Sequence, residues 1–141
     1  GGVNHRFGLY DMIMLKDNHI AYCGGIENAI NEAWKYLQKK KLDLKIEIET
    51  RNIEDVQNVI AVGKGKVFRI MLDNFTPDQI TQALKIIGEV PKEFGIETEA
   101  SGGINLDNIE DYAETGVDYV SVGALIHQAR SLDLSLKAVI I

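Results

Sequence analysis

ValPheArgIleMetLeuAspAsnPheThrProAspGlnIle, residues 67–80, carries a whole strand-to-helix passage. The apolar run Val67–Leu72 reads as a strand and stops at Asp73-Asn74. Thr76 then supplies an N-cap, Pro77 the first helical position and Gln79 the return half of a capping box. Behind this start, Ile80, Ala83, Leu84 and Ile87 fall on one helical face. A strand that ends on an acid and feeds a capped helix is the repeating unit of a parallel α/β sheet.

The same rhythm runs outward in both directions. MetIleMetLeu at 12–15 ends in Lys16, LeuLysIleGluIle at 44–48 ends in Glu49, GlyIleGluThrGluAla at 95–100 ends in Ser101-Gly102-Gly103, and AspTyrValSerVal at 118–122 ends in Gly123. These ends lie roughly 22 to 33 residues apart, which suits successive strand–helix units. The intervening helices are predicted from about Gly25 to Lys40, from the N-cap Asn52 to the stop Gly63, from Thr76 onward, and from about Asn105 to Thr115. The strands read as apolar enough for burial on both faces. Five units are too few for an eight-stranded barrel, leaving part of a barrel or a small doubly wound sheet. No GxGxxG loop follows the first strand, so the partial barrel is preferred.

With 141 residues, 45% hydrophobic and 26% charged, the chain can bury one sizeable core and is expected to be a single domain over 1–141. It begins GlyGlyVal in what reads as mid-motif, so an N-terminally truncated barrel domain is expected. One cysteine, Cys23, excludes an internal disulfide and fits a reducing, cytoplasmic setting. A net charge of −6 speaks against a general nucleic-acid or membrane surface, and no apolar run is long enough for a bilayer.

Parallel strands point one way, so their polar ends gather on the rim where α/β folds bind ligands. Glu47 and Glu49 share a face of their strand, with Glu47 the deeper, and Asp73 is expected at the level of Glu49 on the next strand. A lone strand glutamate is usually a solvated edge residue, but carboxylates from adjacent strand ends make a site for Mg²⁺ or a sugar. SerGlyGly at 101–103 leads toward a helix and, with Gly123, suits a phosphate. Arg6 and Lys16 could bind a carboxylate-bearing substrate, on the rim opposite Glu49 and Asp73, while His127 alone reads as structural or solvated. His5, His19, His127 and Cys23 show no zinc-ligand spacing.

In order along the chain, GlyGlyValAsnHisArgPheGlyLeuTyrAsp, MetLeuLysAspAsnHisIle, IleGluIleGlu, IleMetLeuAspAsnPhe, GluAlaSerGlyGlyIle and GlyValAspTyrValSerValGly resemble the quinolinate phosphoribosyltransferases, the carboxylating nicotinate-nucleotide pyrophosphorylases of NAD biosynthesis. The resemblance covers essentially all 141 residues. It implies an incomplete, open-faced α/β barrel, without the family's N-terminal α/β sandwich domain and first barrel strand. It also implies a homodimer that uses Mg²⁺ to make nicotinate mononucleotide, pyrophosphate and CO₂ from quinolinate and phosphoribosyl pyrophosphate. Carried over by motif, His5, Arg6 and Lys16 belong to the pocket for the quinolinate carboxylates. Glu49 and Asp73 face the ribose hydroxyls and the metal–pyrophosphate, with Lys16, Glu49 and Asp73 as the catalytic set. Ser101, Gly102, Gly103 and Gly123 form the 5′-phosphate cup, with His127 just beyond it. The missing segments would supply further arginines, one from the partner subunit. Rival readings are a phosphoribosyltransferase with another acceptor, a phosphate-binding barrel isomerase or lyase with Glu49 and Asp73 as acid and base, and a non-catalytic phosphate-binding module.

Overall fold

The computed structural model describes residues 1–91 and 94–127. In chain order its elements are β1 (Met12–Leu15), α1 (Asp17–Cys23), α2 (Ile26–Lys40), β2 (Lys45–Thr50), α3 (Ile53–Gly63), β3 (Arg69–Asp73), α4 (Pro77–Gly88), β4 (Glu97–Ser101), α5 (Ile109–Ala113), β5 (Tyr119–Val120) and α6 (Ala124–His127). The strands form one sheet in the order β1-β2-β3-β4-β5, and every neighbouring pair is parallel. A doubly wound sheet reverses its strand order at a switch point. The unbroken sequential order is that of a barrel wall, with β1 and β5 as its edges among the described residues.

Local chemistry explains where the longer helices start. The Asn52 side chain accepts from the Asp55 N–H at 2.9 Å, and the Thr76–Gln79 capping box is formed in both directions. In α2, Ala29, Ile30 and Leu37 are buried, and Lys39 and Lys40 occupy the last turn, where the helix dipole favours cations. Ile46 and Ile48 of β2, Ile70 and Leu72 of β3 and Ala100 of β4 pack against Ile30, Val56, Val59, Ile80 and Ala83 of the helices. Each buried Ile or Leu side chain contributes about 1.5–3 kcal/mol, so this layer between sheet and helices is the main stabilising element. Among the described residues no helix is long and apolar enough to cross a membrane.

Two expectations need correction. The central strands β2–β4 are buried on both faces but mainly apolar on only one. Facing away from the helices are Glu47, Glu49, Arg69, Glu99 and Ser101, all buried. Alternation puts every second residue there, and apart from Met71 the buried β2–β4 residues of this concave face are charged or polar. The helix expected from about Asn105 begins instead at Ile109. Asn105 accepts from the Asp107 N–H and Asn108 from the Asn105 N–H, both at 2.8 Å, and these side-chain bonds hold a turn where a first helical turn would lie.

Candidate active site

A chain of charges lines the middle of the concave face. Arg69 donates from Nη2 to Glu97 at 2.7 Å and from Nη1 to Glu99 at 2.8 Å, and its guanidinium stacks 4.3 Å from the centre of the Tyr119 ring. Ser121 donates to the other oxygen of Glu99. His5 closes the chain, with Nε2 at 3.0 Å from Glu47 Oε2 and 3.6 Å from Glu99 Oε2. The donor atoms of His5, Glu47 and Glu99 lie close enough together to hold a metal. Because the nearer Glu99 oxygen already receives Arg69, the group reads as an ion-pair network.

Burial, reinforced by the Glu99 charge, pushes the Glu47 carboxyl above its ordinary range, against the pull of His5 and Arg69. A carboxyl with a raised folded pKa takes up a proton on folding. Its stabilising share is therefore present below the unfolded pKa of about 4.5 and is lost as pH rises through the folded value. Denaturant midpoints across that window should show Glu47→Gln gaining stability relative to wild type as pH increases. A constant difference would count against a raised Glu47 pKa.

Further along the strands lies the rim. Glu49 is 8% exposed and falls one residue before the end of β2, pairing in register with Met71. Asp73 is two residues beyond Met71 on the same face of β3, so the acids sit one pleat apart and not at one level as expected. The reason is that β2 continues to Thr50, whose hydroxyl donates to the Met71 carbonyl at 2.9 Å. Burial and then the Asp73 charge raise the Glu49 pKa, while Arg51 and Lys16 lower it. Lys16 is therefore a neighbour of Glu49, and the expected separation of cations and acids on opposite rims is overturned. Parallel pairing of β1 with β2 is what brings them together. Arg51, which the sequence reading did not single out, reaches Asp17 at 2.8 Å and Glu49 at 3.5 Å. With Asp17, Glu49 and Asp55 it lines a cavity of about 430 Å³.

Asp73 joins this acidic end to the glycine turn. Its Oδ1 accepts from the Ser101 hydroxyl at 2.8 Å and its Oδ2 from the Asn74 amide at 2.7 Å. Ser101, Gly102, Gly103, Asn105, Ser121 and Gly123 line an open cleft of about 440 Å³, ample for a phosphate. The helix N-terminus beside the cleft is not that of α5, which starts five residues beyond Ile104, but that of the short α6, whose first residue Ala124 joins the lining. Gly123 is not a strand end either, because β5 stops at Val120. It opens the turn into α6 and still faces Ser101–Gly103 across the cleft.

The N-terminal segment lies across the concave face without regular structure, tied to it by His5 and folded on itself by Asp11, which accepts from the Phe7 N–H at 2.8 Å. It carries Arg6, half-buried, beside His5. Lys16 is exposed at the start of α1, where its backbone N–H donates to His19 Nδ1 at 3.0 Å. His127 closes α6, and its side chain lies outside what the structure describes. Sequence reasoning missed Arg69, Glu97, Glu99 and Ser121. A charge inside the apolar run 67–72 and the GluThrGlu alternation at 97–99 were the available signals.

A protein-family model described as quinolinate phosphoribosyl transferase, C-terminal domain, matches residues 1–137. The chain belongs to the quinolinate phosphoribosyl transferase family. It is 40% identical over 146 residues to the chloroplastic nicotinate-nucleotide pyrophosphorylase [carboxylating] of Arabidopsis thaliana, covering 97% of this chain and 41% of that protein. It is 43% identical over 136 residues to the probable nicotinate-nucleotide pyrophosphorylase [carboxylating] of Bacillus subtilis, covering 96% of this chain and 43% of the relative. The crystal structure of NadC from Streptococcus pyogenes superposes with a TM-score of 0.82 at 40% identity, covering 98% of this chain and 45% of that one. The chain thus spans about two-fifths of the length of the relatives it matches. As a quinolinate phosphoribosyl transferase C-terminal domain, it has the fold its strand rhythm implied: a five-stranded, all-parallel, partial α/β barrel.

Proposed function

We propose that this domain, in its full-length protein, transfers the phosphoribosyl group of phosphoribosyl pyrophosphate to quinolinate and that the adduct loses CO₂ to give nicotinate mononucleotide. What supports the reading is that one barrel wall carries three unlike elements: a glycine-lined cleft, a pair of carboxylates and a set of basic side chains. The Ser101–Gly103 and Gly123 cleft suits the 5′-phosphate. Glu49 and Asp73 suit the ribose, and His5, Arg6 and Lys16 suit a pyridine dicarboxylate.

The chemistry follows from these roles. The C1′–oxygen bond breaks with its electron pair leaving on pyrophosphate, and the ring nitrogen of quinolinate bonds to C1′. Positive charge develops on the ribose as the leaving group departs, and the carboxylate of Glu49 stabilises it. In the adduct the ring carbon between nitrogen and carboxylate sheds CO₂, and the adjacent pyridinium nitrogen stabilises the electron pair left behind. A proton then takes the place of CO₂. The nearness of Lys16 to Glu49 suits a reaction in which acceptor and ribose must meet.

Glu49 and Asp73 fit Mg²⁺, held directly or through pyrophosphate and water. Their mutual repulsion helps raise the Glu49 pKa, and the hydrogen bonds from Ser101 and Asn74 leave Asp73 oxygen lone pairs to spare. When bound, the ion would offset the charge of the pyrophosphate. The working protein is proposed to be a cytoplasmic homodimer.

The test is product analysis on the full-length protein given phosphoribosyl pyrophosphate with quinolinate or with nicotinate. Equimolar nicotinate mononucleotide and CO₂ from quinolinate are expected. Turnover of nicotinate and not quinolinate would transfer the assignment to a different acceptor. Within this reading, Lys16→Met keeps most of the stem and removes the charge. The KM for quinolinate should rise about tenfold or more, the worth of one charged hydrogen bond, while that for phosphoribosyl pyrophosphate changes little. Equal losses for both substrates would point to a folding defect.

A further inference from the structure

His5 belongs to a segment with no helix or strand of its own, so something else must fix its ring. Its Nε2 faces two carboxylates, Glu47 at 3.0 Å and Glu99 at 3.6 Å. An N–H on Nε2 serves both carboxylates, and that tautomer leaves Nδ1 as the nitrogen available to a ligand. Glu99 in turn has no freedom to turn away. Arg69 holds one of its oxygens at 2.8 Å and Ser121 the other, while Glu97 and the Tyr119 ring lock Arg69. Glu47 is 0%, Glu99 1% and Arg69 9% exposed. Apolar side chains of similar volume would stabilise a barrel interior at least as well as buried charges do. The network is better suited to holding an orientation.

We infer that Arg69 and Glu99 are positioning residues for acceptor binding, holding the His5 imidazole and the segment that carries Arg6 in the orientation that meets the acceptor's carboxylates. This rests on the reading of the domain as a phosphoribosyl transferase acting on quinolinate. Neither residue needs to touch the substrate. Their effect passes through His5, so it is selective for the acceptor and disappears when His5 is removed.

A double-mutant cycle in the full-length protein separates this from a general structural role. Glu99→Gln keeps the shape and removes the charge. It is expected to raise the KM for quinolinate about tenfold or more, while the KM for phosphoribosyl pyrophosphate stays within about twofold. In a His5→Ala background the same change should add almost nothing to the quinolinate KM. Arg69→Lys keeps the charge but loses the fork that spans Glu97 and Glu99, and it should reproduce the selective loss if Glu99→Gln fails to fold. Additive effects of His5→Ala and Glu99→Gln, or equal rises in both KM values, would overturn the inference. A wild-type protein that does not turn over quinolinate would sink the proposed reaction instead, so the two failures are distinguishable.

Discussion

Glu49→Gln should lower kcat and kcat/KM together by about a hundredfold while leaving both KM values nearly unchanged, the pattern of an interaction made mainly in the transition state. Such a loss corresponds to about 2.7 kcal/mol of barrier, within the range for a preorganised electrostatic group facing developing charge. The structure supplies the preorganisation. Glu49 is almost buried, its backbone is held within β2, and Arg51 at 3.5 Å and Lys16 restrain its charge without a close bidentate pair. Glutamine keeps the shape but turns one acceptor oxygen into an NH2 donor and cannot offset a positive ribose. A variant that loses only substrate affinity would show that Glu49 binds the ribose without acting on its charge.

Glu47 looks like the natural control for that experiment, since it shares the face one pleat deeper. The structure removes its neutrality. Glu47 is fully buried and bonded to His5, so Glu47→Gln is expected to act on acceptor binding. Asn58, which lines the cavity shared with Glu49, is exposed on α3 and makes a better probe of local disturbance.

How much of this was legible in the sequence depends on the range of the interaction concerned. The Thr76-Pro77-Gln79 start, the Asn52 cap and the parallel order of the strands rest on neighbouring residues or on a repeating pattern, and all three are in the structure. The helix α1 escaped because seven residues give too little periodicity, and its ends are held by His19 and by Gly24 in the left-handed region. The start of α5 was misjudged because Asn105 and Asn108 bond to nearby backbone in a way that competes with a helical turn. The Arg69–Glu97–Glu99 chain was out of reach for another reason. Its members lie 28 and 30 residues apart, and only the register that sets Arg69 opposite Glu97 brings them together. The role of Glu47 is equally non-local, since its partner comes from a segment 42 residues upstream. Motif order could point to Glu49 and Asp73, but the offset between them required the β2–β3 register.

Replacing Gly102 by valine should be the most damaging single change at the phosphate end, and for a reason beyond filling the cleft. Gly102 has φ +91°, a conformation that costs a β-branched residue about 1–3 kcal/mol. A Cβ there would also lie 2.8 Å from the backbone nitrogen of Asn74, closer than real side chains approach, and closer still to the Asn74 side-chain oxygen. That nitrogen donates to the Ser101 carbonyl at 2.8 Å, so the turn cannot yield without parting the ends of β3 and β4. Those ends carry Asp73 and Ser101, which are bonded to each other. The substitution should therefore raise the KM for phosphoribosyl pyrophosphate and lower kcat, with a loss on the order of a hundredfold or more in kcat/KM if Asp73 is displaced along with the cleft. Gly103→Ala is the matched comparison. Its φ is +64°, also left-handed, but a Cβ there meets nothing within 4 Å. It should cost about 1–2 kcal/mol of stability from backbone strain alone and leave the donor KM much closer to wild type. Steady-state kinetics on both variants, with folding checked by denaturant titration, decide the matter. If Gly103→Ala impairs donor use as severely as Gly102→Val while both remain folded, the damage comes from the cleft's backbone conformation and not from contact with Asn74.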